Sequence, residues 1–321
     1  MSQSGFRRNF ILAVFVWLLS AAIALRFGAV TDADMSLILG IRLPRVLLAS
    51  GVGMGLAVAG VVLQALFSNP LCEPYTLGIS SGASLGAVVG GSLGLSLSYA
   101  GLAGTSLLGG LFFLLILYGL SHSVLKGRFS LLLAGVMLGY LGSSLVALWM
   151  AFSDSNGLSG ALFWLLGDLS RARLSGALFT LGAVLVLSGL VFLKRGDLDA
   201  LLLGEEFAAS LGVPVEQSRR KLMVLSAILV SVCVSSAGMI GFVGLVVPHF
   251  VRRMTGSFHL RVLPLACVWG AAALTVSDAV ARIAFAPHEI PVGVITALFG
   301  VPLFVVMTVS HRRAVLSEIS G

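Results

Sequence analysis

Asp278 and Arg282 stand four residues apart inside an otherwise apolar run of this 321-residue chain. At that spacing two side chains meet on one face of a helix, and charges placed in lipid are costly unless they are satisfied or functional. The pair lies toward one end of its run, which suits a structural or docking role better than a proton relay. A larger polar concentration runs from Lys194 to Lys221, KRGDLDALLLGEEFAASLGVPVEQSRRK. It holds five basic and five acidic residues, ten of the thirty-three charges in the chain. Within it, Gly204 precedes Glu205 and Glu206, which adjoin Phe207, Ala208, Ala209 and Leu211. Gly212 can end a helix there and Pro214 follows it. A short helix that offers acidic and apolar residues to water can fit a groove in a soluble protein. The alternative is an amphipathic helix lying on lipid, which its acids oppose because the inner leaflet is negative.

Other chemistry is sparse. The chain contains no G-x-x-x-x-G-K-[ST], so it carries no phosphate-binding loop of its own. It also lacks H-E-x-x-H and the G-x-S-x-G nucleophile elbow, which leaves a membrane-embedded enzyme unsupported. The five histidines, at 122, 249, 259, 288 and 311, fall at the ends of apolar runs and read as interfacial residues rather than ligands. Cys72, Cys233 and Cys267 have neither zinc-site nor disulfide spacing and read as small hydrophobes in helices.

The elements that must position these residues are membrane helices. The chain is 58% hydrophobic and 10% charged, with a mean hydropathy of +1.07, whereas a soluble domain carries roughly 25% charged residues. The apolar runs are long and apolar all round, unlike the alternating runs of a β-barrel. At about 20 residues per crossing the pattern predicts ten spans, at roughly 9–28, 46–67, 76–96, 101–122, 129–152, 174–193, 222–239, 241–254, 262–284 and 291–310. The eighth is short for a full crossing and is expected to be bent or partly buried. The fold class is an all-α polytopic membrane protein. Arg7, Arg8 and the run from Phe10 to Leu25 have the form of a secretory signal, but the run is long, lacks a clear cleavage site and precedes nine further spans, so an uncleaved first span is expected.

With the N-terminus inside, fourteen of the twenty basic residues fall on the inner side: Arg7, Arg8, Lys126, Arg128, Lys194, Arg195, Arg219, Arg220, Lys221, Arg252, Arg253, Arg261, Arg312 and Arg313. This bias predicts that both termini and the 194–221 segment are cytoplasmic. It also accounts for the net charge of +7 without nucleic acid as a partner. Among the outer bases, Arg42 and Arg45 flank Pro44, which is tolerated in the first turn of a helix. They are either anchors snorkelling at a headgroup interface or a basic rim for an acidic partner. Gly78, Gly82, Gly86, Gly90 and Gly94 recur every four residues and place bare backbone on one helix face for close packing, as do Gly51 and Gly55. Ala59-Gly60 followed by Pro70 is echoed by Ala237-Gly238 followed by Pro248, a faint sign of duplicated halves. An ion-driven carrier shows ionisable groups or broken helices near the midplane, and the sequence offers little of either, so its energy is expected to come from elsewhere.

Eight motifs in order resemble one family. They are R-L-P-R at 42–45, Q-A-L-F-x-N-P-L-x-E-P at 64–74, L-G-I-S-S-G-A at 77–83, L-L-L-A-G-V at 131–136, G-E-E-F-A-A-S-L-G-V at 204–213, G-M-I-G-F-V-G-L-V-V-P-H-F-V-R at 238–252, D-A-V-A-R at 278–282 and E-I-P-V-G-V-I-T-A-L-F-G-V-P at 289–302. From about residue 40 to its end the chain resembles the FecCD family of ABC importer permeases, which includes cobalamin, haem and iron-siderophore permeases. Cys72, where Ala is more typical, and Phe258, where an Asp often precedes the His, depart from the pattern.

The resemblance implies a type II ABC importer permease of the cobalamin-permease fold, with ten transmembrane helices per subunit in a single permease domain, 1–321, of a bacterial inner membrane. It implies a homodimer with the path at the dimer interface, two copies of a cytosolic ABC ATPase, and an extracytoplasmic substrate-binding protein. The ATPase, which would hold ATP and magnesium, would dock on the coupling loop 194–221 through Gly204, Glu205, Glu206, Ala208, Ala209, Leu211 and Gly212. No cofactor or catalytic residue is expected on this chain. The binding protein would meet Arg42 and Arg45, with Arg282 as a third contact. Asn69, Ser80, Ser81, Ser143 and Ser144 fall in segments that shape the path and its gate, although small polar residues in helices also simply hydrogen-bond to the preceding turn. The expected cargo is a metal chelate. The rival readings are an ion-coupled transporter or exporter acting without an ATPase, and a membrane scaffold.

Overall fold

The computed structural model describes residues 3–28, 34–94, 99–123, 128–152, 165–284, 286 and 288–319. All regular structure among them is helical: α1 (Gln3–Arg26), α2 (Leu43–Leu66), α3 (Ile79–Ser92), α4 (Tyr99–Ser123), α5 (Arg128–Ala151), α6 (Leu174–Leu193), α7 (Arg195–Leu202), α8 (Glu205–Ser210), α9 (Val215–Ala237), α10 (Val243–Thr255), α11 (His259–Ile283) and α12 (Val292–Ile319). A helical turn at Met35–Leu37 and a π-helical turn at Ile38–Arg42 run straight into α2, with Pro44 at its start. Each of the ten predicted spans falls on a helix, and α6 matches at both ends. Lys126 and most of the expected 123–128 connection lie outside the described residues.

The helix α2 forms the centre. From Pro44 to Leu66 only Leu47 is not buried, and α2 packs against α6, α9, α10 and α11. A helix apolar on every side is stable only when surrounded. Glycine sets how closely the neighbours come. A Cβ at Gly53 would fall on the carbonyl oxygen of Gly270 in α11, and one at Gly60 would fall on the carbonyl oxygen of Gly244 in α10. The predicted glycine face of α3 is used at four of its five positions: Gly82, Gly86 and Gly90 meet α4 at Gly109 and Thr105, and Gly78 meets α5 at Gly135 and Gly139. Gly94 instead faces open space.

Seven helices among the described residues are long and apolar enough to cross a membrane, and the apolar part of α12, Val292–Met307, is shorter. By contrast α3 has 14 residues and α10 has 13. At 1.5 Å per residue they reach about 21 and 20 Å, short of the roughly 30 Å hydrocarbon core. Each begins after a left-handed residue, Gly78 (φ 70°) and Phe242 (φ 67°). The start of α3 sits about two turns into α5, beside Gly135, and the start of α10 sits beside Leu56, midway along α2. Two segments that interrupt the α-helices, 67–78, with one 3-10 turn at Pro74–Leu77, and 238–242, therefore enter the bundle from opposite ends. They meet where Pro74 touches Gly244 and where the Phe242 backbone N–H donates to Glu73 Oε2 at 3.2 Å. Non-helical backbone is tolerated at such depth because protein covers it. The chain thus has a pair of broken helices, contrary to the sequence expectation. The sequence echo does not mark them: Gly60 lies mid-helix in α2, whereas Gly238 ends α9.

Candidate functional site

Polar side chains gather at the two ends of the bundle. At one end the 194–221 segment folds as α7, α8 and a two-turn extension of α9. Buried Leu198, Ala200 and Leu201 seat α7, and two carboxylates fasten it. Asp197 Oδ2 accepts from Ser218 Oγ of α9 at 2.6 Å and from Lys194 Nζ at 3.3 Å. Asp199 Oδ1 accepts the backbone N–H of His259, the first residue of α11, at 2.9 Å and lies 2.7 Å from its Nδ1. The segment is thereby tied to two long helices at once. His259 is buried, not interfacial as expected; Asp199 partners its Nδ1, while its Nε2 is buried without a hydrogen bond.

Burial works to raise the pKa of Asp199. The hydrogen bonds from His259, together with the charges of His259 and Arg195, outweigh it and hold the carboxyl below its ordinary value. A depressed carboxylate contributes stability that is fully present above its unfolded value, about 3.9, and is lost as pH falls through the folded value. Melting temperature followed from pH 7 into the acid range is therefore expected to fall less steeply below about pH 4 in Asp199→Asn than in the parent protein. Parallel curves for the two proteins would contradict this.

The helix α8 is the exposed element. Gly204, at φ 113°, precedes it, and Glu205 and Glu206 occupy its first turn, where the helix dipole favours acids. Gly212, at φ 80°, ends it in a Schellman arrangement: Val213 N–H donates to Ala208 O at 3.1 Å and Gly212 N–H to Ala209 O at 2.9 Å. Ala208 is buried beneath the helix, and Glu205 pairs with Arg219 of α9. Glu206, Phe207, Ala209 and Leu211 face outward, with Phe207 49% and Leu211 60% exposed. Large apolar side chains held in the open beside acids make a surface suited to a protein groove.

At the opposite end, Arg42, Arg45 and Arg282 converge, but not as an open rim. They are only 3%, 5% and 3% exposed. Arg45 Nε donates to Asp278 Oδ1 at 2.7 Å, and its Nη1 donates to Glu289 Oε2 at 2.7 Å. The local pair expected from the sequence also forms: Arg282 Nε lies 3.1 Å from Asp278 Oδ2, although those two atoms are not aligned as a hydrogen bond. Arg42 Nη1 donates to the carbonyls of Leu25 (2.9 Å) and Arg26 (2.6 Å). Arg282 Nη2 and Nη1 donate to those of Ala24 (3.1 Å) and Phe27 (3.4 Å). The last carbonyls of a helix lack internal partners and attract cations, so two arginines cap α1 while Arg45 joins α2 to α11. Of the two sequence readings for Arg42 and Arg45, neither lipid anchors nor an exposed rim describes them. The exposed charges at this end include Arg26, Asp34, Arg171, Arg173 and, partly, Glu289. Arg45, Asp168, Arg171 and Glu289 line a cavity of about 260 Å³.

The path candidates separate. Ser81 Oγ of α3 and Ser143 Oγ of α5 come within 3.4 Å. Ser143 and Ser144 are exposed on α5 among Tyr140, Leu141 and Leu145. Ser80 is fully buried, without a hydrogen bond to its Oγ. Asn69 lies apart in the turn after α2, where its Oδ1 accepts Leu71 N–H at 2.9 Å. The sequence reading missed the roles of Asp199, Glu289, and Gln64 with Arg252, whose guanidinium hydrogen-bonds Gln64 Oε1 and donates to Val61 O at 3.3 Å. Only the placement of Gln64, Glu289 and Arg252 inside quoted motifs hinted at them, and Asp199 had no such signal.

A polytopic helical bundle with one anchored polar segment and a pair of broken helices is the architecture of a membrane permease. The family model of the FecCD transport family matches residues 9–310, and the chain belongs to that family. It is 39% identical over 287 residues to the vitamin B12 import system permease protein BtuC of Vibrio cholerae, covering 89% of this chain and 86% of that one. It is 39% identical to the hemin transport system permease protein HmuU of Yersinia pestis, covering 88% and 86%. A solved ABC transporter classed as metal-chelate type, in an inward-facing conformation, superposes with a TM-score of 0.86 at 33% identity, covering 95% of this chain and 99% of that one.

Proposed function

We propose that this chain is the permease subunit of an ATP-driven importer of metal chelates in the cobalamin, haem or siderophore class. The observation that carries this reading is the polar segment: α8 offers Phe207 and Leu211 beside Glu205 and Glu206, on a base fastened to α9 through Asp197 and to α11 through Asp199. A cytosolic ATPase seated on α8 would pull on two long helices together. In this reading Gly204 and Gly212 set the ends of the docking helix, Glu206, Ala209 and Leu211 touch the ATPase, and Glu205 and Ala208 hold the helix in place. Nucleotide acts by favouring one of two states of the bundle. A second copy of the chain completes the path, with Ser81, Ser143 and Ser144 on the shared wall, in an inner membrane with both termini cytoplasmic.

Phe207→Ala with Leu211→Ala is expected to weaken ATPase binding by about 30-fold or more, the scale of one interface hot spot. Because both side chains are exposed, the melting temperature of the permease should not change. Pull-down titration with the ATPase measures the first and thermal unfolding the second. Unchanged ATPase affinity would remove α8 from the interface.

On the outer face we place the binding protein over the cluster of Arg42, Arg45 and Arg282. Since these arginines are already committed to internal acceptors, an incoming carboxylate has to displace Glu289, the accessible partner of Arg45. Glu289→Gln should therefore tighten docking, most at low salt. Equal binding-protein affinity for the two forms would sink the exchange.

A further inference from the structure

One face of α6 is open along its whole length. Leu174, Leu178, Leu185, Val186, Leu190 and Leu193 are all exposed, and Gly182 and Gly189 meet nothing. Those spacings trace one stripe of a helix, and in a membrane protein such a stripe faces acyl chains. At the polar-segment end the stripe runs into a cavity of about 440 Å³ lined by Leu193, Arg195, Gly196, Asp199, Phe258, Leu260 and Arg261. Its composition is split. Leu193, Phe258 and Leu260 are large apolar side chains, 72%, 69% and 54% exposed. Arg195 and Arg261 bring two guanidinium groups, and the one carboxylate, Asp199, is already engaged by His259. Arg195 is positioned through its guanidinium, which lies 4.6 Å from the Phe192 ring centroid and donates from Nη1 to Phe192 O at 3.2 Å.

We propose that this cavity binds the phosphate headgroup of an anionic phospholipid whose acyl chains lie along the open face of α6. A guanidinium presents a planar fork that fits phosphate oxygens. Basic pockets at the cytoplasmic ends of membrane helices collect anionic headgroups for that reason. The apolar members of the cavity continue the lipid-facing stripe of α6, rather than the α8 surface, which favours lipid over protein as the occupant. A bound lipid here would bridge the end of α6, α7 and the start of α11, the elements that anchor the polar segment.

The test uses the intact permease in nanodiscs of phosphatidylcholine titrated with phosphatidylglycerol, with lipid retention read by native mass spectrometry. The parent protein should retain phosphatidylglycerol over phosphatidylcholine. Arg195→Gln with Arg261→Gln should weaken that retention about 30-fold, the factor that two basic residues carry near an anionic surface, and the corresponding pair of lysine replacements, which keep the charge but not the fork, should restore it only in part. Should the double variant fail to fold, the headgroup preference of the parent and the single Arg261→Gln variant decide the matter. Equal retention of the two lipids by the parent, or unchanged preference in the variant, overturns the proposal. So does competition by inorganic phosphate as effective as that by lipid, which would mark a site for the free anion. Loss of ATPase binding with lipid retention intact overturns it too, by assigning the surface to the ATPase.

Discussion

Arg45→Ala is expected to cost about 3–5 kcal/mol, the usual penalty for leaving a buried charge without its partner. Asp278 is fully buried, and its short hydrogen bond comes from Arg45 rather than from Arg282 in its own helix. Removing Arg45 leaves that carboxylate with a misaligned neighbour and releases Glu289 from the bundle. Since folded proteins hold about 5–15 kcal/mol in reserve, the variant should yield little monodisperse protein and a sharply lower melting temperature. Asp278→Asn should do less harm, because Arg45 keeps Glu289. Arg45→Met combined with Asp278→Leu should be more stable than Arg45→Ala, because no charge is left orphaned. A melting temperature for Arg45→Ala close to that of the parent would refute the role of the cluster as the clasp between α1, α2 and α11.

The second large effect belongs to backbone contact. Gly60→Ala drives a methyl group onto the Gly244 carbonyl, and Gly53→Ala does the same to Gly270. Each neighbour is backbone and cannot swing aside, so each variant should lose about 1–3 kcal/mol through overpacking. The effect on transport should exceed the effect on stability for Gly60, because α10 is one of the two broken helices and carries Arg252. Gly182→Ala is the control: that glycine meets open space on α6, and the change should be neutral or slightly stabilising. Thermal unfolding of the three variants in parallel checks the order. Equal melting temperatures would show that the helices yield more easily than their contacts imply.

Both effects mark what the sequence did and did not disclose. Span positions were legible because they depend on local hydropathy, and the end of α8 was legible because Gly212 and Pro214 are local signals. The glycine face of α3 was legible for the same reason. The clasp was not: the partner of Arg45 is 233 residues away, and from the sequence Asp278 has only its i+4 neighbour. Arg42 and Arg45 suggested an exposed rim because their spacing says nothing about the free carbonyls at the end of α1. The broken helices were partly visible, since the eighth span was short, but the third was drawn as one crossing from residue 76, ahead of the left-handed Gly78 after which α3 begins. Glu73 and Phe242, which join the two breaks, carry no signal of pairing in the sequence.

The central claim is that transport depends on an ATPase docked on α8. The most direct measurement is uptake of cobalamin and of haemin into proteoliposomes holding the permease with its ATPase and binding protein, with and without ATP inside or the ATPase itself. Uptake of one of these chelates that requires both, and that falls when Phe207 and Leu211 are replaced by Ala, is the predicted result. Uptake at the same rate without the ATPase, driven by an ion gradient alone, would contradict the account.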